Sequence, residues 1–216
     1  MTASVLLLDF GGVISKTPFE THRASERALG LAPGTLDWMG PFDPAGDRLW
    51  AAMQADAITE RDYWAMRVAS VAEALGETGW TVQTFLTRTR LTMPAEHMLR
   101  PEALALVGRA VAAGRRCAVL SNELELFYGP GWADDLPVMR HMAAVIDGTH
   151  TGILKPAPEA YRLALDALGV AAGDVVFVDD QKRNADGALA AGMKVVHLDV
   201  RDPAAGFAAA ARLLGL

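Results

Sequence analysis

Carboxylates stand at two widely separated points of this chain, each directly after a short apolar run. Asp9 follows the first run, and Asp179 and Asp180 follow another one far along the chain. If the fold brings them together, three like charges repel one another unless a cation lies among them. Oxygen ligands beside a phosphate suit Mg²⁺. The three aspartates, Asp9 among them, therefore predict a magnesium site.

Hydrogen-bond donors and a cation accompany these carboxylates. Ser121 and Asn122 close a third apolar run and can donate hydrogen bonds to an anion, and Lys155 stands before Pro156 at the start of a helical pattern. Taken singly, each has an ordinary interpretation as a helix cap, a turn former or a surface lysine. Together with a carboxylate and a metal, they indicate phosphoryl transfer through an aspartyl-phosphate.

The elements that must position these residues are short buried strands. Apolar runs occupy residues 5–8, 117–120, 175–178 and 195–198. Each run is continuous rather than alternating, which is typical of strands covered on both faces, as in a parallel sheet. Cys117, which opens the second run, is expected to be packing rather than a nucleophile.

Helical patterns lie between these runs, and each ends at a glycine suited to a helix C-terminus. Their apolar positions are Leu104, Val107 and Val111 before Gly114, and Tyr161, Leu165 and Leu168 before Gly169. Alternating strands and helices predict an α/β fold with a doubly wound, Rossmann-like parallel sheet. Ligands bind at the carboxyl ends of the strands in such sheets, so the polar residues should gather at one edge.

Residues 15–97 differ from the rest because they contain no comparable apolar run. They are interpreted as amphipathic helices, including 19–29, 49–57 and 60–75, broken by prolines and glycines. The chain is therefore divided into a core domain, residues 1–14 and 98–216, and an inserted helical domain. The aromatic residues of the insertion either form its own core or line a pocket; they are Trp38, Phe42, Trp50, Tyr63 and Trp64.

Composition excludes several classes of protein. The 216 residues are 51% hydrophobic and carry a net charge of −6, which argues against nucleic-acid binding and against disorder. One cysteine and no long apolar segment favour a cytoplasmic protein without a membrane partner. The five histidines lack ligand spacing, so no zinc site is expected, and His197 is interpreted as a core residue. Monomer and homodimer both remain open.

Four motifs then occur in a characteristic order: DFGGV at 9–13, VLSN at 119–122, KPAPEAY at 155–161 and VFVDDQKRNADGALAAGM at 176–193. In this order the chain resembles the haloacid dehalogenase-like hydrolase superfamily along its whole length. The long interval after the first motif resembles the helical-cap branch, whose epoxide-hydrolase-N-terminal-like and sugar-phosphatase-like members are most similar. The resemblance implies that residues 15–97 form a cap that closes over the site and selects the substrate.

The resemblance also implies roles for individual residues. Asp9 would be the nucleophile and a Mg²⁺ ligand, with the Gly11 carbonyl and Asp180 as further ligands and Asp179 assisting through water. Ser121, Asn122 and Lys155 would hold the phosphate of a small phosphorylated metabolite. Asn184 matches a polar position that supports the metal loop.

One position departs from the family pattern. Most phosphatases of the superfamily have a second aspartate two residues after the nucleophile, where this chain has Gly11. Loss of that acid–base group corresponds to about 10²–10⁴-fold in rate. The sequence then predicts a slower enzyme, one that prefers good leaving groups, or one that borrows an acid from the insertion, where Glu20 and His22 are nearest in sequence.

Two alternatives stay open beside the phosphatase. A 2-haloacid dehalogenase uses the same aspartate against carbon and needs no metal, but its pattern resembles this one with the metal carboxylates reduced, and this chain keeps Asp179 and Asp180. A weakly active phosphate-binding or regulatory protein is the other alternative, and Gly11 is the reason for considering it.

Overall fold

The computed structural model describes residues 2–216, apart from the side chains of residues 95 and 96. The described chain separates into two compact units. One contains the residues up to Lys16 together with Leu99–Leu216, and the other is Thr17–Met98. That the second unit acts as a cap stays a prediction.

The first unit is built on one parallel sheet, which confirms the α/β prediction. Its strands are β1 (Val5–Leu8), β2 (Arg116–Ser121), β3 (Met142–Asp147), β4 (Val175–Asp179) and β5 (Lys194–His197). They lie in the order β3-β2-β1-β4-β5, and every neighbouring pair is parallel. The central strand β1 is therefore bonded to β2 on one side and to β4 on the other.

The strand β3 was missed by the sequence analysis. It lies at the edge of the sheet, and its first four residues alternate between half-buried and exposed. Residues 142–146 are all apolar, but the two alanines among them give this segment a low β-propensity, and it was not identified as a strand.

Six helices and several short turns connect these strands. The helices are α6 (Pro101–Ala112), α7 (Leu124–Tyr128), α8 (Gly148–Thr151), α9 (Pro158–Leu168), α10 (Lys182–Ala190) and α11 (Pro203–Leu214). Between them lie 3₁₀ segments at Ala133–Asp135, Pro137–His141 and Ala172–Asp174. A π-helical turn, Phe10–Ile14, follows β1.

The core of the first unit lies between the sheet and its helices. Tyr161 of α9 is fully buried there and packs edge-on against Phe177 of β4, with ring centroids 6.0 Å apart. The apolar stripe predicted for α6 was partly wrong. Val111 is exposed, because the helix turns Ala103, Leu106, Val107 and Ala110 inward instead.

The second unit is helical. Its helices are α1 (His22–Leu29), α2 (Arg48–Gln54), α3 (Glu60–Ala74), α4 (Val82–Arg90) and α5 (Ala95–Met98), with a 3₁₀ turn at Gly40–Phe42. The start of α1 falls later than the predicted residue 19, because Glu20 accepts hydrogen bonds from the backbone and hydroxyl of Thr17 in a preceding turn.

Aromatic side chains form the core of the second unit. Trp38, Trp50, Tyr63 and Trp64 are buried and pack around Phe19 with centroid distances of 5.3–6.3 Å. Of the five aromatic residues singled out in the sequence, Phe42 alone is exposed. Neither unit contains, among the described residues, a helix with the length and hydropathy needed to cross a bilayer.

Candidate active site

The parallel sheet places the predicted residues at the carboxyl ends of its three central strands. Asp9 directly follows β1, and its backbone N–H donates to the Val178 carbonyl at 2.9 Å. Ser121 ends β2 and Asp179 ends β4, the two strands that flank β1. Because parallel strands end on the same side of a sheet, residues far apart in sequence become neighbours.

Lys155 connects two of these carboxylates. Its Nζ lies 2.9 Å from Asp9 Oδ1 and 2.7 Å from Asp179 Oδ2. Burial alone would lower the pKa of this lysine, but the charges of Asp179 and Asp9 outweigh it and hold the pKa above its usual value. Lys155 is thus a buried, permanent cation between two carboxylates.

Asp9 is a buried carboxyl with too few partners for its charge. Burial raises its pKa, the Lys155 ammonium and the Phe10 N–H oppose that rise, and the nearby Asp179 charge adds to it, so that the pKa is about 7. Oδ1 accepts both the Phe10 N–H, at 2.7 Å, and the lysine. Neither bond uses Oδ2.

The site fits a divalent cation. Asp9, Asp179 and Asp180 each offer a carboxylate oxygen, and the three oxygens lie within 4.8 Å of one another. The cluster contains three carboxyl groups and one ammonium, that of Lys155, so acidic groups remain in excess after the lysine is paired. An all-oxygen donor set of this kind suits a hard dication such as Mg²⁺ better than a thiophilic metal.

The Asp179 carboxylate is fully buried and held on several sides. Besides Lys155, it accepts the Gln181 N–H at 2.8 Å and the Asn184 amide at 3.1 and 3.2 Å. The Asn184 backbone carbonyl in turn accepts the Tyr161 hydroxyl at 2.7 Å. Asn184 therefore lies where the sequence analysis expected a supporting residue. The contribution of Tyr161 was missed, although Tyr161 lies within the KPAPEAY motif that drew attention to Lys155.

Asn122 contacts Lys155 through the main chain. Its Oδ1 accepts the Lys155 N–H at 2.7 Å, and its Nδ2 donates to the Lys155 carbonyl at 3.1 Å. This two-point contact joins the end of β2 to the segment before α9 and fixes the backbone from which the lysine side chain extends.

The two glycines after Asp9 differ in conformation. Gly12 has φ +75°, and a Cβ built there would lie 2.5 Å from Asp180 Oδ2, so only glycine lets the turn approach that carboxylate. Gly11 has ordinary extended angles, φ −67° and ψ 129°, and a Cβ there would meet nothing within 4 Å. At the position where the family pattern has an acid–base aspartate, this chain therefore has no ionisable side chain, but the surrounding space would accommodate one.

The other candidate residues have local surroundings of their own. Burial raises the pKa of the Cys117 thiol to about 11, which agrees with a packing role. The interpretation of His197 as a core residue was wrong: it is exposed at the end of β5, and its Nε2 lies 3.1 Å from the Asp180 carbonyl oxygen. In the second unit, Glu20 bonds Thr17 and His22 lies among aromatic rings.

Comparison with known proteins agrees with this arrangement. The family model of the haloacid dehalogenase-like hydrolases matches residues 5–192, which include every residue of the site. The chain belongs to this family. The resemblance noted in the sequence is thereby confirmed for this haloacid dehalogenase-like hydrolase.

Two relatives of this hydrolase differ in their named activities. A phosphoserine phosphatase of Thermus thermophilus is 29% identical over 163 residues, covering 71% of this chain and 63% of the relative. An (S)-2-haloacid dehalogenase of a Pseudomonas species is 30% identical over 139 residues, covering 64% and 60%. The matched region spans between 39% and 66% of the length of the curated relatives.

A solved structure confirms the fold. The HAD-hydrolase YfnB of Bacillus subtilis, described as bound to magnesium, superposes with a TM-score of 0.66 at 15% identity. The superposition covers 92% of this chain and 87% of that one.

Proposed function

We propose that this hydrolase is a Mg²⁺-dependent phosphatase of a small phosphorylated metabolite and that it works through an aspartyl-phosphate on Asp9. The observation that carries the proposal is the cluster of Asp9, Asp179, Asp180 and Lys155, in which three carboxyl groups share one ammonium and offer an all-oxygen site for a dication. The phosphatase among the relatives agrees with it.

Asp9 is assigned as the nucleophile. Its Oδ1 is held by Lys155 and by the Phe10 N–H, which fixes the plane of the carboxylate. Oδ2 attacks phosphorus, the bond from phosphorus to the ester oxygen breaks, and the leaving oxygen takes a proton from solvent water. A second water then attacks phosphorus, releases inorganic phosphate and regenerates the Asp9 carboxylate.

A divalent metal and Lys155 are both assigned to neutralise the negative charge of the phosphate. Mg²⁺ bound by Asp9, Asp180 and the Gly11 carbonyl, with Asp179 assisting, would supply Lewis-acid polarisation of the phosphate. The charges of its two carboxylate partners raise the pKa of Lys155 and favour its charged form, so it offers positive charge to the phosphate. The Lys155 charge is already in place before the reaction begins, so it stabilises the transition state without any cost of reorganisation.

Ser121 and Asn122 complete the proposed phosphate site in different ways. The Ser121 hydroxyl lies at the end of β2, next to β1, and is assigned as a donor to the phosphate. Asn122 contributes by holding the Lys155 backbone on both its N–H and its carbonyl.

Metal-independent dehalogenation is the second candidate, because a relative carries that name and the same aspartate could attack carbon. Hydrolysis of p-nitrophenyl phosphate and chloride release from 2-chloropropionate, each with Mg²⁺ and with EDTA, separate the two. We expect phosphate release that EDTA abolishes and added Mg²⁺ restores, with no chloride release.

Asp9→Asn should remove the phosphatase activity, while Asp186→Asn serves as the matched control, since Asp186 is an exposed aspartate of α10 paired with Lys182. Chloride release that persists in EDTA would favour the dehalogenase. Binding of Mg²⁺ and phosphate without turnover of any phosphoester would favour a regulatory protein.

A further inference from the structure

The Phe10–Ile14 turn that follows Asp9 is irregular and depends on bonds from outside itself. Its two glycines depart from helical angles. Ser15 N–H donates to the Phe10 carbonyl at 2.9 Å, which closes the turn. The Gly12 and Ile14 carbonyls are both bonded by one residue, Arg100, which lies just before α6.

Arg100 bonds this turn at two points. Its Nη2 donates to the Gly12 carbonyl at 3.0 Å, and its backbone N–H donates to the Ile14 carbonyl at 2.8 Å. None of these bonds, nor the one from Ser15, uses the Gly11 carbonyl, which is the proposed metal ligand. The guanidinium therefore fixes the peptide that follows the Gly11 carbonyl and leaves that oxygen for another partner.

The Arg100 side chain is buried, and burying its charged guanidinium costs free energy unless polar groups bond it. Arg100 is 2% exposed and is the largest of the fully buried side chains. A buried guanidinium loses its hydration, and apolar side chains of similar volume often stabilise a core equally well or better. The bond from the Arg100 guanidinium to a backbone carbonyl of the site indicates a role in geometry besides packing.

The carbonyl that Arg100 bonds belongs to Gly12, whose backbone lies close to the Asp180 carboxylate. Gly12 approaches Asp180 so closely that a Cβ would lie 2.5 Å from Oδ2. Movement of the Gly12 peptide would therefore change the spacing between the Gly11 carbonyl and the Asp180 carboxylate. Those two groups are proposed to bind the same ion, so their spacing sets the fit of the metal.

We propose that Arg100 is a positioning residue for the divalent-metal site, acting through the Gly12 carbonyl. This inference rests on the proposed function, because it presupposes that the Asp9 cluster binds a metal. Outer residues that orient metal ligands typically contribute 10–100-fold to metal affinity. The effect should therefore appear in metal binding itself, independently of turnover.

The test is Mn²⁺ affinity, measured by electron paramagnetic resonance of the free ion in titrations of the whole chain. Arg100→Met keeps an unbranched apolar side chain in place of the arginine stem and keeps the backbone bond to Ile14, but removes the donor to Gly12. We expect its Mn²⁺ dissociation constant to rise about 10–100-fold. Arg100→Lys, which keeps a charge and a donor, should lie between Arg100→Met and the wild type.

The matched control is Arg109→Met, because Arg109 is an exposed residue of the same helix, α6. Its Mn²⁺ affinity should equal that of the wild type. If Arg100→Met does not fold, as judged by circular dichroism, Arg100→Gln replaces it: glutamine is polar but too short to reach the Gly12 carbonyl, and the same rise is expected.

A folded variant without the Gly12 bond that binds Mn²⁺ as tightly as the wild type would overturn the role of Arg100 and leave the proposed function intact. A wild-type protein that binds no Mn²⁺ would instead contradict the metal site, and with it both proposals.

Discussion

Asp47 of the second unit and Asp9 of the first unit are both buried carboxyl groups, but their surroundings shift their pKa values in opposite directions. Asp47, in the second unit, accepts hydrogen bonds from the Trp50 N–H at 2.9 Å, the Gly40 N–H at 3.1 Å and the Tyr63 hydroxyl at 3.0 Å, and it pairs with Arg67. Burial acts to raise the pKa of Asp47, but these donors outweigh it and hold the pKa below its usual value. The Asp47 carboxylate is thus stabilised as an anion by the donors of the second unit.

Asp9 is buried to a similar degree with the opposite result. Burial and the charge of Asp179 outweigh Lys155 and the Phe10 N–H, and the pKa of Asp9 is raised to about 7. A carboxylate that is buried, close to others and short of donors is stable as an anion only when a further cation binds. Burial of a carboxyl group therefore does not indicate a functional site by itself. A buried carboxyl group with few hydrogen-bond donors and a raised pKa is the stronger indication.

The largest expected effect comes from neutralising the carboxylate in the first unit. Asp9→Asn should lower the rate of phosphate release by at least about 10³-fold, since it removes the nucleophile. The free energy of unfolding without metal should change by less than about 1 kcal/mol, because Lys155 keeps its pair with Asp179. Steady-state assays and urea unfolding measure the two quantities, and a large loss of stability would contradict the contrast with Asp47.

The same substitution in the second unit should act on stability. Asp47→Asn removes the partner of Arg67 and disturbs a saturated set of donors, so the free energy of unfolding should fall by about 3 kcal/mol. Urea unfolding measures this fall. Asp37→Asn is the matched control, an exposed aspartate of the same unit, and should change stability by less than about 0.5 kcal/mol. Equal effects of the two variants would show that the bonds to Asp47 contribute little.

An additional carboxylate at position 11 of the first unit should raise the rate of phosphate ester hydrolysis. Gly11→Asp introduces the missing acid–base group at a position with extended backbone angles and open space around a Cβ. Hydrolysis of alkyl phosphates, whose leaving groups need a proton, should rise by about 10²-fold. Activity on p-nitrophenyl phosphate should rise less. Gly11→Asn has nearly the same shape without the acid, and an equal gain in that variant would contradict acid–base catalysis.

The smallest effect concerns a buried base in the second unit. His22 packs edge-on against Trp38, its Nε2 has no hydrogen-bond partner among the described residues, and burial, assisted by the charge of Arg23, lowers its pKa from 6.5 to about 4. Because the unfolded chain takes up the proton first, stability falls as the pH drops below 6.5. The loss should be about 1 kcal/mol between pH 6.5 and 5.5.

Unfolding of His22→Gln across that range should show a shallower dependence on pH than unfolding of the wild type. His97→Gln, at an exposed histidine of the same unit, is the control and should keep the wild-type slope. Identical slopes in all three proteins would mean that His22 titrates normally in the folded state.

Much of the first unit could be predicted from local patterns. Four of its five strands were predicted from apolar runs, and the polar residues that close those runs placed Asp9, Ser121 and Asp179 at strand ends. The edge strand β3 was missed although residues 142–146 are apolar, because its alanines have a low β-propensity. The inward face of α6 was misplaced because alanines, which carry little pattern of their own, face the sheet while Val111 is exposed.

Within the site, residue types could be predicted but partners could not. Nothing in the local sequence of Asn122 shows that its amide binds the Lys155 backbone, because that contact depends on tertiary structure. The bond from Arg100 to Gly12 is likewise long-range. Sequence patterns identify the residues with chemical groups, whereas the residues that hold them in place emerge only from the fold.

The most direct test of the central claim is to look for the phosphoryl group on Asp9. Because Gly11 provides no base to activate water, the aspartyl-phosphate should persist long enough to be trapped. Acid quenching during turnover of p-nitrophenyl phosphate with Mg²⁺, followed by mass spectrometry of peptides, should show one added phosphoryl group on the peptide that contains Asp9, and none with EDTA. Continued turnover by Asp9→Asn, or a phosphoryl group on another residue, would contradict the account.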